Sequence, residues 1–365
     1  MKIAPNSGRK HTTRPFLAAM AALGTFALVA PLAAQNAPGG IDALREWNLV
    51  VFNNLDSNSE VEGRTFVGGD LNGSSSNYNI GNASASTRGQ PGLTVVGNVN
   101  GNHKNLNNGS GAIVGGNVNS GFNLNGPKQT VQVGGTISNT NVNQNTVNSG
   151  LAASDPQFLV NLKQDASYIQ SSLNNLSYDL GQMEATSRVI RQGSRARFSA
   201  QAGEDGTAVF NLTSSDLDSF REIAFDKNGA ETVIVNVTGK NIVLDDNFLG
   251  NSSKLGESVI WNFPDAETLT VTTAWRGSIL APKAKATTSN FIEGSAVFSS
   301  LTQRGEFHMG TFNSGFTPPN PGGSSSGGSS SSSGGGTNVP EPSAFLLFLL
   351  AAAAVLFRRR RSAKI

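Results

Sequence analysis

The sequence predicts a mainly β protein: a solenoid of short stacked strands with one long α-helix along its flank, set between two apolar, basic-flanked termini. Three observations carry this expectation. The 365 residues include 42 glycines, no cysteine and only 14% charged residues, a composition that suits short strands and turns and rules out a disulfide framework or a thiol nucleophile. A strand–Gly–strand unit recurs, with the valine ahead of the glycine at Val67, Val96, Val114 and Val133. Only one stretch carries a sustained helical period, from Asp155 to Glu184.

The first element is an export signal over residues 1–37. Lys2, Arg9, Lys10 and Arg14 form a basic start, Phe16 to Leu32 is an Ala/Leu-rich apolar run, and small residues follow, so cleavage is expected near Ala34 or Ala37 after passage through the secretion translocon. The formal charge of +2 is therefore misleading. Setting aside the nine basic residues of the two termini leaves 18 Lys and Arg against 25 acids, an acidic body that argues against nucleic-acid binding.

From Ile41 the repeats begin: Thr65-Phe66-Val67-Gly68-Gly69, Leu93-Thr94-Val95-Val96-Gly97, Ala112-Ile113-Val114-Gly115-Gly116 and Val131-Gln132-Val133-Gly134-Gly135, each followed by a second short alternating stretch. Units of about twenty residues bury no face alone and must stack. Gly and Asn are expected at the corners, as residues that tolerate positive φ. The helix starts at Asp155-Pro156, a cap followed by proline at the first helical position. Its stripe is Phe158, Leu162, Ala166, Ile169, Leu173, Leu176, Leu180 and Met183, expected to pack on the flank of the stack. Strands resume at residues 231–238, 241–244, 258–263, 269–272, 277–282, 291–298 and 305–308.

Residues 38–316 form the body. Residues 317–338 are a Pro- then Gly/Ser-rich linker that buries nothing, a tether with a reach of about 25 Å. Residues 339–365 hold Pro340-Glu341-Pro342, an apolar segment over 343–357, and Arg358, Arg359, Arg360 and Arg361. The uninterrupted apolar run Ala344 to Phe357 is about 21 Å long as a helix, short of a ~30 Å hydrocarbon core. The arginines hold its end on the cytoplasmic side, which leaves the body outside the inner membrane.

The triplet, the short apolar helix and the arginine cluster together resemble the PEP-CTERM sorting signal of Gram-negative bacteria. The resemblance implies an exosortase as partner, an inner-membrane intermediate, and release or transfer to the cell surface or outside it, often alongside exopolysaccharide. A plain membrane anchor has the same hydropathy but gives no reason for Pro-Glu-Pro.

The body resembles the choice-of-anchor A family, through Leu49-Val50-Val51-Phe52-Asn53-Asn54-Leu55, Val61-Glu62-Gly63-Arg64, Val67-Gly68-Gly69, Gly277-Ser278-Ile279-Leu280-Ala281-Pro282, Ile292-Glu293-Gly294 and Glu306-Phe307-His308. That family is similar to ice-binding-like adhesive domains, and the resemblance implies a right-handed parallel β-helix with a long helix alongside.

Chemistry-bearing residues are sparse. Glu306 with His308 is the best hydrolytic-looking pair, since both face one side of an alternating strand, but is read as structural or as part of a ligand face. His103 is placed in an Asn/Lys turn, and no H-E-x-x-H pair exists. Asp245-Asp246-Asn247 and Asp216 with Asp218 offer oxygens to Ca²⁺ without an EF-hand pattern, and are read as solvated turns. Glu62 and Arg64 are expected to form a buried ion pair, and Trp47, Trp261 and Trp275 to be core rather than sugar platforms. No catalytic, cofactor or metal residue is therefore assigned. The expected function is a non-enzymatic surface or matrix adhesin for polysaccharide. The open alternatives are a carbohydrate-active enzyme on a β-helix and an ice-binding protein, for which Thr270-Val271-Thr272-Thr273 is too short an array.

Overall fold

The computed structural model describes residues 37–81 and 85–318. The export signal, nearly all of the linker, and the sorting tail with its apolar segment lie outside the described residues. Among those described, no helix is long and apolar enough to cross a membrane.

The described residues are mainly β, in sheets of 15, 7 and 4 strands. Among them every strand pairing is parallel except that of Arg188–Gln192 with Arg195–Ser199. In the first half each repeat gives a strand to the large sheet (Leu49–Val51, Thr65–Val67, Leu93–Val95, Ala112–Val114, Thr130–Val133). It then crosses a short second segment and gives a strand to the seven-stranded sheet (Glu60–Val61, Ser76–Tyr78, Lys104–Leu106, Phe122–Leu124). Leu49, Val51, Val67, Val95, Val114 and Val133 point into one continuous apolar core.

The sheet order is not the chain order. The chain enters mid-stack at Leu49–Val51, builds outward to Thr146–Asn148, then crosses to the other end and builds back from Thr207–Thr213 until Ala296–Gln303 pairs with Leu49–Val51. The crossing is made by the long helix Pro156–Gly181, capped by Asp155, whose carboxylate accepts from the Gln157 amide. Its 26 residues span about 39 Å at ~1.5 Å per residue. Eight strand steps separate Thr130–Val133 from Thr232–Thr238, about 38 Å at ~4.8 Å each, so the helix length matches the stack it must traverse.

The helix buries Ile169, Leu173, Leu176 and Leu180 against a second cluster, formed by Val50, Phe66, Val209, Ile234, Ile260, Leu280 and Val297 on the outer face of the large sheet, while Leu162 covers Gly115. Its C-terminal carbonyls are satisfied by a file of asparagines from that sheet. Asn211 donates to Met183 O (3.0 Å), Asn236 to Leu180 O (2.7 Å) and Asn262 to Ser177 O (2.8 Å). Asn262 also donates to Asn236 Oδ1, and Asn236 to Asn211 Oδ1.

Two expectations about the repeat are corrected. Val67 pairs with Val95, not Val96, so the structural repeat is 28, 19 and 19 residues. Val96 takes the corner position that Gly115 and Gly134 occupy in the next repeats and turns outward to the helix side. The Gly-Gly corners do not have positive φ; in these repeats positive φ falls instead at Gly73, Gly101 and Gly121 on the next corner and at Asn79 and Asn108 on the one after it, so asparagine takes the corner role expected of it. Glycine is needed at Gly115 and Gly134 for close approach, since a Cβ there would press on the carbonyl of the repeat below and on Leu162 or Phe158 of the helix.

Candidate functional site

The seven-stranded sheet runs Phe122–Leu124, Lys104–Leu106, Ser76–Tyr78, Glu60–Val61, Phe307–His308, Ile292–Glu293, Trp275–Arg276. Alternation sends Phe122, Leu106, Tyr78, Val61, Phe307, Ile292 and Trp275 inward, all buried. Register then stacks the intervening residues on the outer face.

Those residues form a ladder. Asn77 donates to Glu60 Oε1 (2.9 Å), Asn105 to Asn77 Oδ1 (2.6 Å) and Asn123 to Asn105 Oδ1 (2.7 Å). All three bonds run the same way, so each amide keeps a second N–H directed off the row, at a spacing of ~4.8 Å. Pairing of Phe307 with Val61 brings Glu306 beside Glu60 and extends the row. Next to it Glu306 Oε2 lies 2.8 Å from His308 Nε2, the His308 ring stacks on Phe291 (4.5 Å, 10°), and the Arg276 guanidinium sits over the other end of that stack (5.3 Å) while pairing with Glu293. This gives a row of carboxylate and amide groups beside a partly exposed ring stack.

A second ladder lies on the neighbouring face, where Asn100 donates to Asn72 Oδ1 (2.9 Å) and Asn119 to Asn100 Oδ1 (2.8 Å). In the same row Thr270, Thr287 and Thr302 stand side by side, ending at Asp56, which pairs with Arg304 (3.3 Å). No single segment holds these threonines, so a reading of Thr270 to Thr273 alone misses the row.

The remaining sequence candidates are dispersed. Trp47, Trp261 and Trp275 are core, each at most 1% exposed. Glu62 and Arg64 do not pair with each other: Arg64 meets Glu46 (3.3 Å), and Glu62 accepts from the Met309 amide, because the tight turn at Gly63 seats on Asn48 and splays them. His103 Nε2 is 2.9 Å from Asn139 O. Its neighbour Lys104 is not in a turn but fully buried inside the stack. Its ammonium donates to the Gly73 and Ser74 carbonyls, and burial lowers its pKa to about 8 against the opposing pull of Asp56. Burial likewise raises Tyr78 to about 12. The acids expected in solvated turns divide. Asp216 closes the capping box of the helix Ser214–Asp218 by accepting from its cap Thr213, and Asp245 pairs with Arg221, while Asp246 is fully buried with no hydrogen-bond partner for its carboxyl oxygens. Burial first, and then the charge of Asp245, raises Asp246 to about 7. Among the described residues no group of three or more His, Asp or Glu side chains is placed to hold a metal ion.

These outer faces make the body a parallel stack that carries repeated polar ladders. The family described as "Putative Ice-binding-like adhesive domain" matches residues 40–309, and the chain belongs to it. The PEP-CTERM protein-sorting motif, a signal recognised by exosortase, matches residues 338–361 and covers Pro340, Glu341, Pro342 and Arg358 to Arg361. Together they make this an exported cell-surface protein. No curated protein and no solved structure matches the chain.

Proposed function

We propose that the protein is a non-enzymatic adhesin, processed by an exosortase, whose body is a right-handed β-helix that binds polysaccharide or matrix through the outer face of the seven-stranded sheet. The observation that carries this reading is the one-directional ladder Glu60–Asn77–Asn105–Asn123, which presents unused amide N–H groups at a fixed repeat. Each contact to a saccharide hydroxyl contributes only about 1 kcal/mol, so a repeating ligand must engage several at once. The Phe291–His308 stack supplies an apolar edge for a sugar ring.

The test is a glycan-array and matrix-binding measurement on the full-length protein and on a variant with Asn77, Asn105 and Asn123 all changed to Ala. Selective loss of binding in the variant supports the reading, and unchanged binding overturns it. Replacing Pro340-Glu341-Pro342 by alanines is expected to leave the protein in the membrane fraction; normal release of that variant overturns the exosortase assignment.

The Glu306–His308 hydrogen bond favours the carbohydrate-active enzyme as a second reading. Against it, a hydrolase sets two carboxylates across a scissile bond, whereas Glu60 and Glu306 sit side by side on one sheet face. Polysaccharide cleavage that disappears in Glu306→Gln would replace the adhesin with the enzyme. The row Thr270–Thr287–Thr302 favours ice binding, and shaped ice facets in the presence of the purified protein would establish it.

A further inference from the structure

The two ends of the stack are finished differently. At the end where Thr207–Thr213 is the last strand of the large sheet, the outward backbone groups are taken. Val209 O accepts from the Thr186 and Ser187 amides (both 3.0 Å), and the Val209 amide donates to Thr186 Oγ1 (2.9 Å). The hairpin of Arg188–Gln192 with Arg195–Ser199 follows, buries Ala196 and Phe198 in the core, and carries four arginines. A covered edge and charge of one sign both discourage strand addition by a second chain.

The other end has neither protection. Its last strand, Thr146–Asn148, pairs with Thr130–Val133 and with no strand beyond it. The Thr146 amide is spent on Gln129 O (3.0 Å), so alternation turns both the N–H and the C=O of Val147 off the sheet, where no described residue meets them. Val147 also belongs to an apolar plate. Leu124 in the seven-stranded sheet, Ile137 in the short segment bridged to Val118, and Val147 in the large sheet end the core on its three sides, each only partly covered. Val142, in the turn that leads into the last strand, is exposed. From Gln129 to Ser154 the chain holds no charged residue.

We infer that this end is the interface of a two-fold dimer of the protein. A second copy, turned by half a revolution about the normal to the large sheet, lays its Thr146–Asn148 antiparallel to the first, and the two Val147 residues exchange N–H and C=O as one hydrogen-bonded pair. The occupant is a second copy because the surface is complementary to itself. An uncharged plate meets its own image without repulsion, and a charged partner finds nothing to pair with. Head-to-tail stacking does not fit, since the opposite end has spent its outward groups and its arginines would meet no carboxylate. The contact therefore closes on itself and gives a dimer rather than a filament. Three strand residues and a small plate make the association reversible. The side faces that carry the ladders stay open, and the inference stands whether or not those ladders bind glycan.

The chain has no cysteine, so Thr146→Cys/Asn148→Cys reports the pairing directly. Alignment about Val147 sets position 146 of one copy opposite position 148 of the other, in a non-hydrogen-bonded pair with Cα atoms about 4.5 Å apart, where a disulfide fits. The second measurement is sedimentation of the full-length protein in detergent over a range of concentrations, with Val142→Lys and Val243→Lys alongside; Val243 is an exposed valine of the strand Asn241–Leu244, away from the plate. Expected are a monomer–dimer equilibrium, a dissociation constant raised at least about tenfold by Val142→Lys and unchanged by Val243→Lys, and a covalent dimer from the double-cysteine variant on oxidation. A monomer at every concentration, species that keep growing with concentration, a dimer that Val142→Lys leaves intact, or the absence of a covalent dimer would each overturn the inference. Far-UV circular dichroism reports whether Val142→Lys folds; should it not, the cysteine pair, at partly and fully exposed positions, still decides.

Discussion

The two halves of the stack solve one problem differently. From Leu49 to Asn148 the repeats are thin: strands of two to four residues, corners of glycine or asparagine, and a core of valine and leucine. Side-chain oxygens tie each corner to the next, with the backbone N–H of Asn98 donating to Asp70 Oδ1 (2.6 Å), that of Asn117 to Asn98 Oδ1 (2.9 Å) and that of Thr136 to Asn117 Oδ1 (2.8 Å). From Thr207 to Gln303 four strands of the large sheet reach 7 to 11 residues, and the interior is filled by aromatic rings. Trp261 alone meets Phe198 (5.5 Å), Phe225 (5.7 Å) and Trp275 (4.9 Å). A narrow parallel stack can be held by glycine corners and amide ladders, whereas a wide one must be filled. The outward asparagine ladders stand on the thin half and its junction with the other, whereas the asparagine file of the wide half is spent on seating the helix.

The sharpest way to break this comparison is to empty the aromatic half. Trp261 is fully buried, with its indole N–H bonded to Arg276 O (3.0 Å). Trp261→Ala is expected to lower unfolding free energy by about 3–5 kcal/mol. Val114→Ala, on the inward face of the same sheet in the thin half, removes two methyl groups at about 0.8 kcal/mol each before any cavity cost. Chemical denaturation of both variants measures the difference. Equal losses would mean that the rings add nothing beyond ordinary core packing.

Asp246 lies in the wide half, at the corner after Asn241–Leu244, and its buried carboxyl is a local cost of that half. Asp245 raises its pKa further, Arg221 opposes that, and Asp218 adds a smaller rise. Below the ordinary aspartate range it is protonated folded and unfolded, so no penalty arises. As the pH rises towards about 7 the unfolded chain loses the proton first, and stability falls across that interval. At about 1.4 kcal/mol per pKa unit, Asp246→Asn is expected to gain roughly 2–4 kcal/mol at pH 8 and almost nothing at pH 4. Thermal unfolding against pH checks this; a wild-type curve as flat as the variant's would show the carboxyl to be satisfied.

What could be read beforehand divides along the same line. The repeat, the helix with its Asp155 cap and Pro156, and the burial of the three tryptophans are local patterns, set by spacing and side-chain size. Register is not local. Val95 rather than Val96 enters the core because the corner residue must turn outward to the helix, which nothing within Leu93-Thr94-Val95-Val96 announces. The asparagine file that seats the helix draws on Asn211, Asn236 and Asn262, each from a different strand. The Thr270–Thr287–Thr302 row is likewise made by stacking. Lys104 reads as a turn residue beside His103, and only the strand Ser76–Tyr78 packed on it shows why it is inside.

The smallest expected effect on stability tests whether the thin half's ladders serve the fold or the surface. Asn105 gives one bond to Asn77 Oδ1 and receives one from Asn123, and all three groups reach solvent. Water replaces both partners in Asn105→Ala, so the cost is expected to be only about 0.5–1 kcal/mol. The side chain nevertheless sits in the middle of the row, and its loss splits a repeating ligand's contacts into two short runs. Glycan binding should therefore fall far more than stability does. A variant that loses stability and binding in proportion would make the ladder part of the scaffold, and the outer face of the seven-stranded sheet would then need another reason for its asparagines.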